Sequence, residues 1–266
     1  MSSLPKLGPH LASGRTAEVY AWGQDQVLKL FHDWFELDDI LFEQKVARLV
    51  HSSGIPAPAV GEVVQVNGHN GLVYQRADGI PMWAALAHQP WRLFRLARRT
   101  AELHTALHAL TAPAEFPDQV QQLRHKIQWA QALPDDLRRR VLAALDTFPA
   151  GDRICHGDFH PGNILMTKRG EVVIDWIDVT RGNPLADLAR TPILALGAAA
   201  TDQVPQGWVK AGLRLFHALY VHCYFQLCPG GEAEYRRWLP VVAAARLSEN
   251  IPEIQRWLLV QAGVHQ

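Results

Sequence analysis

The 266-residue sequence predicts an α+β fold in two parts, a small antiparallel sheet with one helix followed by a larger, mainly helical portion. Three observations carry this. From Leu11 to about Asp78, short runs of β-branched and aromatic residues alternate with tight-turn signals. Beyond Gly79, apolar residues recur at helical spacing. One strand-like island, Asp152 to Asp178, interrupts the helices. The expected domains are residues 1–78 and 79–266.

In the first part the strands are read at Glu18 to Ala21, Val27 to Phe31, Gly61 to Val66 and Leu72 to Gln75, with Gly23-Gln24-Asp25 and Asn67-Gly68 as turns. Asp38 to His51 carries Leu41, Phe42, Val46, Leu49 and Val50 at helical spacing and ends in Ser-Ser-Gly, so it is a helix. In the second part Leu96, Leu103, Leu107 and Leu110 mark a core stripe on a helix over Leu93 to Leu110. Further helices are expected at Val120 to Ala132, Asp135 to Thr147, Gly207 to Cys228 and Glu232 to Asn250, punctuated by Pro113, Pro134, Pro149, Pro205 and Pro229.

Composition narrows the function. Twenty-six Lys+Arg balance 26 Asp+Glu, which argues against nucleic acid or a membrane surface as partner. Cys155, Cys223 and Cys228 cannot all pair and form no metal-ligand spacing, which fits a reducing cytoplasm. The opening MSSLPKLGPH lacks the layout of a signal peptide, and the apolar run Pro192 to Ala200 is too short to span a bilayer.

The chemistry lies in the island, ICHGDFHPGNILMTKRGEVVIDWID. Ile164 to Thr167 and Glu171 to Trp176 flank Lys168-Arg169-Gly170, read as a hairpin with a three-residue loop. That register sets Thr167 opposite Glu171, Leu165 opposite Val173 and Asn163 opposite Asp175. An amide oxygen and a carboxylate would then meet at the open end of the hairpin, a sparse all-oxygen site suited to Mg²⁺ completed by phosphate oxygens. His156-Gly157-Asp158-Phe159-His160-Pro161-Gly162-Asn163 reproduces H-x-D-x-x-x-x-N, the spacing in which Asp takes a hydroxyl proton and Asn holds magnesium in phosphoryl transfer.

His156 to Leu165, with Ile174-Asp175-Trp176-Ile177-Asp178 and Asn183-Pro184-Leu185-Ala186-Asp187-Leu188-Ala189, closely resembles the aminoglycoside phosphotransferase and choline kinase-like family, which has a two-lobed protein-kinase-like fold. The resemblance implies a kinase with ATP or GTP as co-substrate, Mg²⁺ on Asn163 and Asp175, Asp158 as catalytic base and a small-molecule hydroxyl acceptor. It further implies that Ser13, Gly14 and Arg15 begin the phosphate-covering loop, that Lys29 pairs with Glu43, and that the segment with Gln75 and Ala77 meets the nucleotide base. The loop has one glycine where protein kinases have three, and no D-F-G or A-P-E follows Asp175, which disfavours protein substrates.

Elementary electrostatics reaches Lys29 independently. Val27 and Phe31 share its face of the strand, so its ammonium requires a partner such as Glu43 or a phosphate. Asp187 reads as a helix-start or loop anchor, His156 as a structural hydrogen-bonding residue, and His104 and His108 as satisfied helix residues. From Gly182 onward six acids face seven bases, giving no support for a strongly cationic acceptor, and the aromatic residues there suit a core or a stacked sugar or ammonium. A nucleotide-binding scaffold without catalysis and a metal-dependent hydrolase on His156, His160 and Asp158 are the competing readings.

Overall fold

The computed structural model describes residues 5–200 and 207–263, so Pro205 and Asp202 lie outside the described residues, as does the start of the N-terminal segment. The chain forms two compact units, Met1–Met82 with Gly162–Ile177, and Trp83–Pro161 with Asp178–Gln266.

The first unit is built on strands β1 (Leu7–Ser13), β2 (Ala17–Trp22), β3 (Gln26–Phe31), β4 (Val60–Val66) and β5 (His69–Gln75), with helix α1 (Leu37–Ser52) between β3 and β4. The sheet order is β1-β2-β3-β5-β4, antiparallel throughout. Two turns close where the sequence marks them. Gly23 has φ 64° in one, and Asn67 and Gly68 have φ 53° and 88° in the other, values that fit residues tolerant of the left-handed region. Period-two alternation then separates two apolar clusters. Ala17, Phe31, Ile40 and Leu72 pack on the α1 side, and Trp22, Leu28 and Val73 on the other. β1 leaves little trace in the sequence, because LGPHLAS has neither clean alternation nor much burial. On α1 the buried face is Ile40, Glu43, Gln44, Val46, Ala47 and Val50, whereas Leu41 and Phe42, expected inside, are exposed.

A three-stranded sheet of β6 (Gly79–Pro81), β8 (Ile164–Thr167) and β9 (Gly170–Val173) completes this unit, and the Val173 amide donates to the Pro56 carbonyl at 2.8 Å. Here the expected register is wrong by one residue. Ile164 pairs with Val173, Leu165 with Val172, Met166 with Glu171 and Thr167 with Gly170, so the loop is Lys168-Arg169 alone. Gly170, at φ 121°, opens the second strand instead of closing a three-residue loop. The Thr167 hydroxyl fixes this tighter turn by accepting from the Arg169 amide at 3.0 Å and donating to the Gly170 carbonyl at 2.8 Å.

The second unit holds α2 (Met82–His88), α3 (Leu93–His108), α4 (Gln119–Trp129), α5 (Asp135–Leu145), α6 (Pro184–Ala200), α7 (Trp208–Leu227), α8 (Glu232–Arg246) and α9 (Pro252–Ala262), with β7 (Arg153–Cys155) paired antiparallel to β10 (Thr180–Gly182). α8 is its centre. Val241 to Ala245 are at most 1% exposed because α4, α5, α6 and α9 all pack on it. α2, α6 and α9 escape a periodicity reading: α2 is short, and α6 begins buried on several sides. The α3 stripe also differs. It runs through Leu96, Ala97, Thr100, Ala101, His104, Leu107 and His108, while Leu110 is exposed. No helix among the described residues is long and apolar enough to cross a membrane.

Candidate active site

In the first unit the functional side chains gather around Lys29. Its ammonium lies 2.8 and 3.0 Å from the two carboxylate oxygens of Glu43 and 3.4 Å from Oδ1 of Asp175. Alternation along β3 puts Lys29 on the same face as Phe31, whose ring centre is 5.2 Å from the ammonium. Glu43 is 3% exposed and accepts a further bond from the Tyr74 hydroxyl at 2.7 Å. Burial opposes the charge on Lys29, but the carboxylates of Asp175 and Glu43 hold its pKa above the ordinary value. Burial, reinforced by Glu43, pushes the Tyr74 phenol well up, so it stays a donor. The result is a cation held in place with acidic oxygens on two sides. Tyr74 was legible only as part of the segment near the base; its bond to Glu43 depends on the sheet register.

Asn163 ends a 3₁₀ turn, Pro161–Asn163, and its carbonyl accepts the Ile174 amide at 2.9 Å. The expected direct opposition of Asn163 and Asp175 is therefore incorrect, because the shorter loop sets Asn163 against Ile174. Asp175 instead leaves the ladder with φ 65°, a left-handed conformation that Asp tolerates better than most residues. Its side chain is 41% exposed. Both residues still flank the open end of the β8–β9 hairpin, and both offer hard oxygen donors of the kind Mg²⁺ takes.

At the other end of the sheet Ser13 donates to Glu18 at 2.7 Å, the Gly14 amide closes the β1–β2 turn on the Ala17 carbonyl at 2.8 Å, and Arg15 follows at its tip. Gln75 ends β5, its amide bonded to the Ala59 carbonyl at 2.8 Å. Ala77 follows between Arg76 and Asp78, which pair with each other at 2.7 Å.

In the second unit the loop bearing Asp158 is held by one face of α6. Asp187, Arg190 and Thr191 sit at positions i, i+3 and i+4. The Asp187 carboxylate accepts the amides of His156 at 2.6 Å and Gly157 at 2.8 Å, Arg190 Nε donates to the Gly157 carbonyl at 2.9 Å, and the Thr191 hydroxyl donates to the Phe159 carbonyl at 2.8 Å. Arg190 also pairs with Glu249. Gly157 is required twice over. Its φ is 79°, and a Cβ there would stand 2.4 Å from the Asp178 carbonyl oxygen. The Asp158 amide donates to Nδ1 of His156 at 3.1 Å, and His160 Nε2 lies 3.5 Å from the Asp158 carboxylate. Burial works against the Asp158 charge, yet His160, Arg190 and His156 hold its pKa far below the usual carboxylate range. Asp158 is thus ionised and able to accept a hydrogen bond. Asp178 pairs with Lys126 of α4 at 2.6 Å, a partner that nothing near it in sequence signals.

Asp187 is thus the expected loop anchor and His156 the expected hydrogen-bonding residue. His104 and His108 are more central than expected, since their Nε2 atoms lie 3.0 and 3.2 Å from Asp187 Oδ2. With Asp187 they form the one group of three metal-ligating side chains among the described residues. They do not suit a metal: both Nε2 atoms are already hydrogen-bonded to Oδ2 of Asp187, and the carboxylate also takes two backbone amides. Nor does His156 suit the hydrolase reading, because it is fully buried with Nδ1 occupied.

A family model described as phosphotransferase enzyme family matches residues 9–222. No curated protein matches the chain by sequence. Among solved structures, an aminoglycoside-3'-phosphotransferase of type VIII is 21% identical, with 93% of this chain and 94% of that chain covered at a TM-score of 0.60. A choline/ethanolamine kinase family protein from Mesorhizobium loti is 18% identical, covering 95% and 85%, at 0.59. An amicoumacin kinase in complex with AMP-PNP, Ca²⁺ and its antibiotic is 16% identical, covering 97% and 88%, at 0.63. These likenesses establish the two-lobed kinase-like α+β fold that the motifs implied.

Proposed function

This chain belongs to the phosphotransferase enzyme family and transfers phosphoryl groups to an alcohol acceptor; we propose that the donor is the γ-phosphate of ATP or GTP and the acceptor a hydroxyl of a small metabolite or antibiotic. The observation that carries the reading is the Lys29 cluster. A partly buried lysine kept charged by Glu43 and Asp175 is costly unless it serves an anion, and a nucleotide phosphate is the anion this fold family handles. Asn163 and Asp175 are the residues that would hold Mg²⁺, whose charge would neutralise the phosphate oxygens when bound. Lys29, fixed by Glu43 and Tyr74, positions the α and β phosphates. Asp158, ionised and anchored through its loop, orients the acceptor hydroxyl and takes its proton. Ser13, Gly14 and Arg15 cover the phosphates, and the backbone at Gln75 and Ala77 meets the base. Catalysis is then positioning and charge stabilisation, with little covalent work for the protein.

Small hydroxylated acceptors are supported by the solved neighbours, which include kinases of amicoumacin and of aminoglycosides. The absence of a protein-kinase activation segment in the sequence points the same way. Unpaired Cys155, Cys223 and Cys228 accord with a cytoplasmic location. The test is thermal stability of wild type and Asp175→Ala with ATP or GTP, with and without Mg²⁺, followed by phosphoryl transfer to a panel of hydroxyl acceptors. A Mg²⁺-dependent rise in midpoint that Asp175→Ala abolishes is expected, with Asp158→Asn keeping the rise and losing turnover. No rise with either nucleotide at millimolar concentration, or unchanged turnover in both variants, would refute the assignment.

A further inference from the structure

Two hydrogen-bonded chains converge on Asp187 from α7, and each has the same composition. The Tyr220 hydroxyl lies within hydrogen-bond distance of Nδ1 of His104 at 2.5 Å, and His104 Nε2 lies 3.0 Å from Asp187 Oδ2. One helical turn on, the Tyr224 hydroxyl lies 2.7 Å from Nδ1 of His108, whose Nε2 lies 3.2 Å from the same oxygen. Both tyrosine–histidine pairs are separated by 116 residues, so α3 and α7 run parallel and the arrangement repeats by one turn. An ionised carboxylate can only accept, so both Nε2 atoms carry the proton; in the neutral imidazole Nδ1 is then an acceptor, and each tyrosine hydroxyl donates to it. Four N–H groups thus converge on Asp187, two from the histidines and two from the backbone of His156 and Gly157.

We propose that Tyr220 and Tyr224 are positioning residues for the loop that carries Asp158, acting through His104 and His108 on the carboxylate of Asp187. Each hydroxyl locks its imidazole in the tautomer that points N–H at the carboxylate. Without it the proton can move to Nδ1, leaving an Nε2 lone pair facing an anion. The carboxylate then turns away from that lone pair, and the amides of His156 and Gly157, one and two residues before Asp158, lose their acceptor. α7 therefore governs the geometry of the loop without touching it through these tyrosines.

The inference rests on Asp158 being the working residue of the loop, and the test separates the two. Full-length Tyr220→Phe/Tyr224→Phe removes two oxygens and little volume. Amide hydrogen exchange of His156 and Gly157 is expected to rise about tenfold, the change that the loss of one net hydrogen bond gives, while Ala243 to Ala245 in α8 keep their protection. With hydrolysis of MgATP to water as the probe, kcat is expected to fall by a similar factor of about ten with KM for ATP within about twofold, because binding and loop geometry are separable. If the double variant folds poorly, the two single variants decide by the same comparison. Unchanged exchange at His156 and Gly157, exchange raised equally throughout the unit, or an unchanged kcat would overturn the proposal. Absence of MgATP hydrolysis in the wild type would count against Asp158 as the transfer residue, and the exchange comparison would still decide the positioning role.

Discussion

Acidification from pH 7.5 to 5 should destabilise the second unit through two histidines, His104 fully buried and His217 largely so, held without charge. Burial, chiefly, pushes the pKa of His104 down to about 3, and burial alone pushes that of His217 down to about 4. Unfolding restores both to about 6.5. Between roughly pH 4 and 6.5 the unfolded chain therefore binds protons that the folded chain refuses, so stability falls as pH falls. At pH 5 each histidine costs about 2 kcal/mol, together about 4, against a total stability on the order of 5–15 kcal/mol. Asp187, Asp178 and Glu249, whose folded pKa values are depressed, contribute little between pH 7.5 and 5. Their stabilisation is full above the unfolded carboxylate range and is lost only on further acidification. The assay is urea unfolding by tryptophan fluorescence at the two pH values, for wild type and His217→Leu. His217 suits this because Nδ1 is buried with no hydrogen-bond partner among the described residues, so leucine removes a titrating group without breaking a bond. The variant should lose about 2 kcal/mol less than wild type over the same interval. Equal losses in the two proteins would show that His217 is not held neutral and would refute the reasoning.

Glu43→Ala strands a buried ammonium beside a single remaining carboxylate and frees the Tyr74 hydroxyl; a loss of about 3 kcal/mol and of Mg²⁺-nucleotide stabilisation is expected in thermal unfolding with and without ATP. Tyr74→Phe removes only the 2.7 Å bond, so it should cost about 1 kcal/mol and raise KM for the nucleotide more than it lowers kcat in steady-state kinetics. Gly157→Ala must move either the loop or the Asp178 carbonyl that its Cβ would meet at 2.4 Å, and should abolish most turnover in the same assay. Asp118→Ala deletes the α4 N-cap, whose carboxylate accepts the Gln121 amide at 2.9 Å; about 1 kcal/mol of stability with unchanged turnover is the expected result.

The sequence told most where one short-range rule acts alone. The Asn67-Gly68 turn, the break after Trp22 and the face of β3 bearing Lys29 all follow from local backbone preference or period-two alternation, and the structure has them in place. Where two rules compete, the reading fails. Leu41 and Phe42 satisfy helical spacing, yet α1 turns Glu43 and Gln44 inward, because a lysine on β3 and the Gly61 carbonyl require polar partners there. α3 buries two histidines that were expected as satisfied residues beside its leucines, but which groups satisfy them was not legible: α7 supplies hydroxyl groups to both and Asp187 accepts from both. Such partners lie 79 to 116 residues away and leave no local trace.

The hairpin shows how an error in register can spare the residues that depend on it. A one-residue slip in an ideal ladder exchanges the two faces of a strand, and Asp175 would then be lost to the opposite side from its expected neighbours. The strand ends at Val173, however, so Asp175 is not bound by the alternation at all. Its left-handed backbone redirects the side chain, and Oδ1 comes to 3.4 Å from Lys29. A left-handed, non-glycine residue persists only where surrounding contacts outweigh its cost, here the attraction of a buried ammonium. Asp175→Gly sets these contributions against each other, since it relieves the backbone and removes the carboxylate together. Unfolding free energy should therefore change by less than about 1 kcal/mol while Mg²⁺-dependent nucleotide stabilisation disappears. A variant that is strongly destabilised yet still responds to Mg²⁺ and ATP would mean that Asp175 serves the fold and not the site.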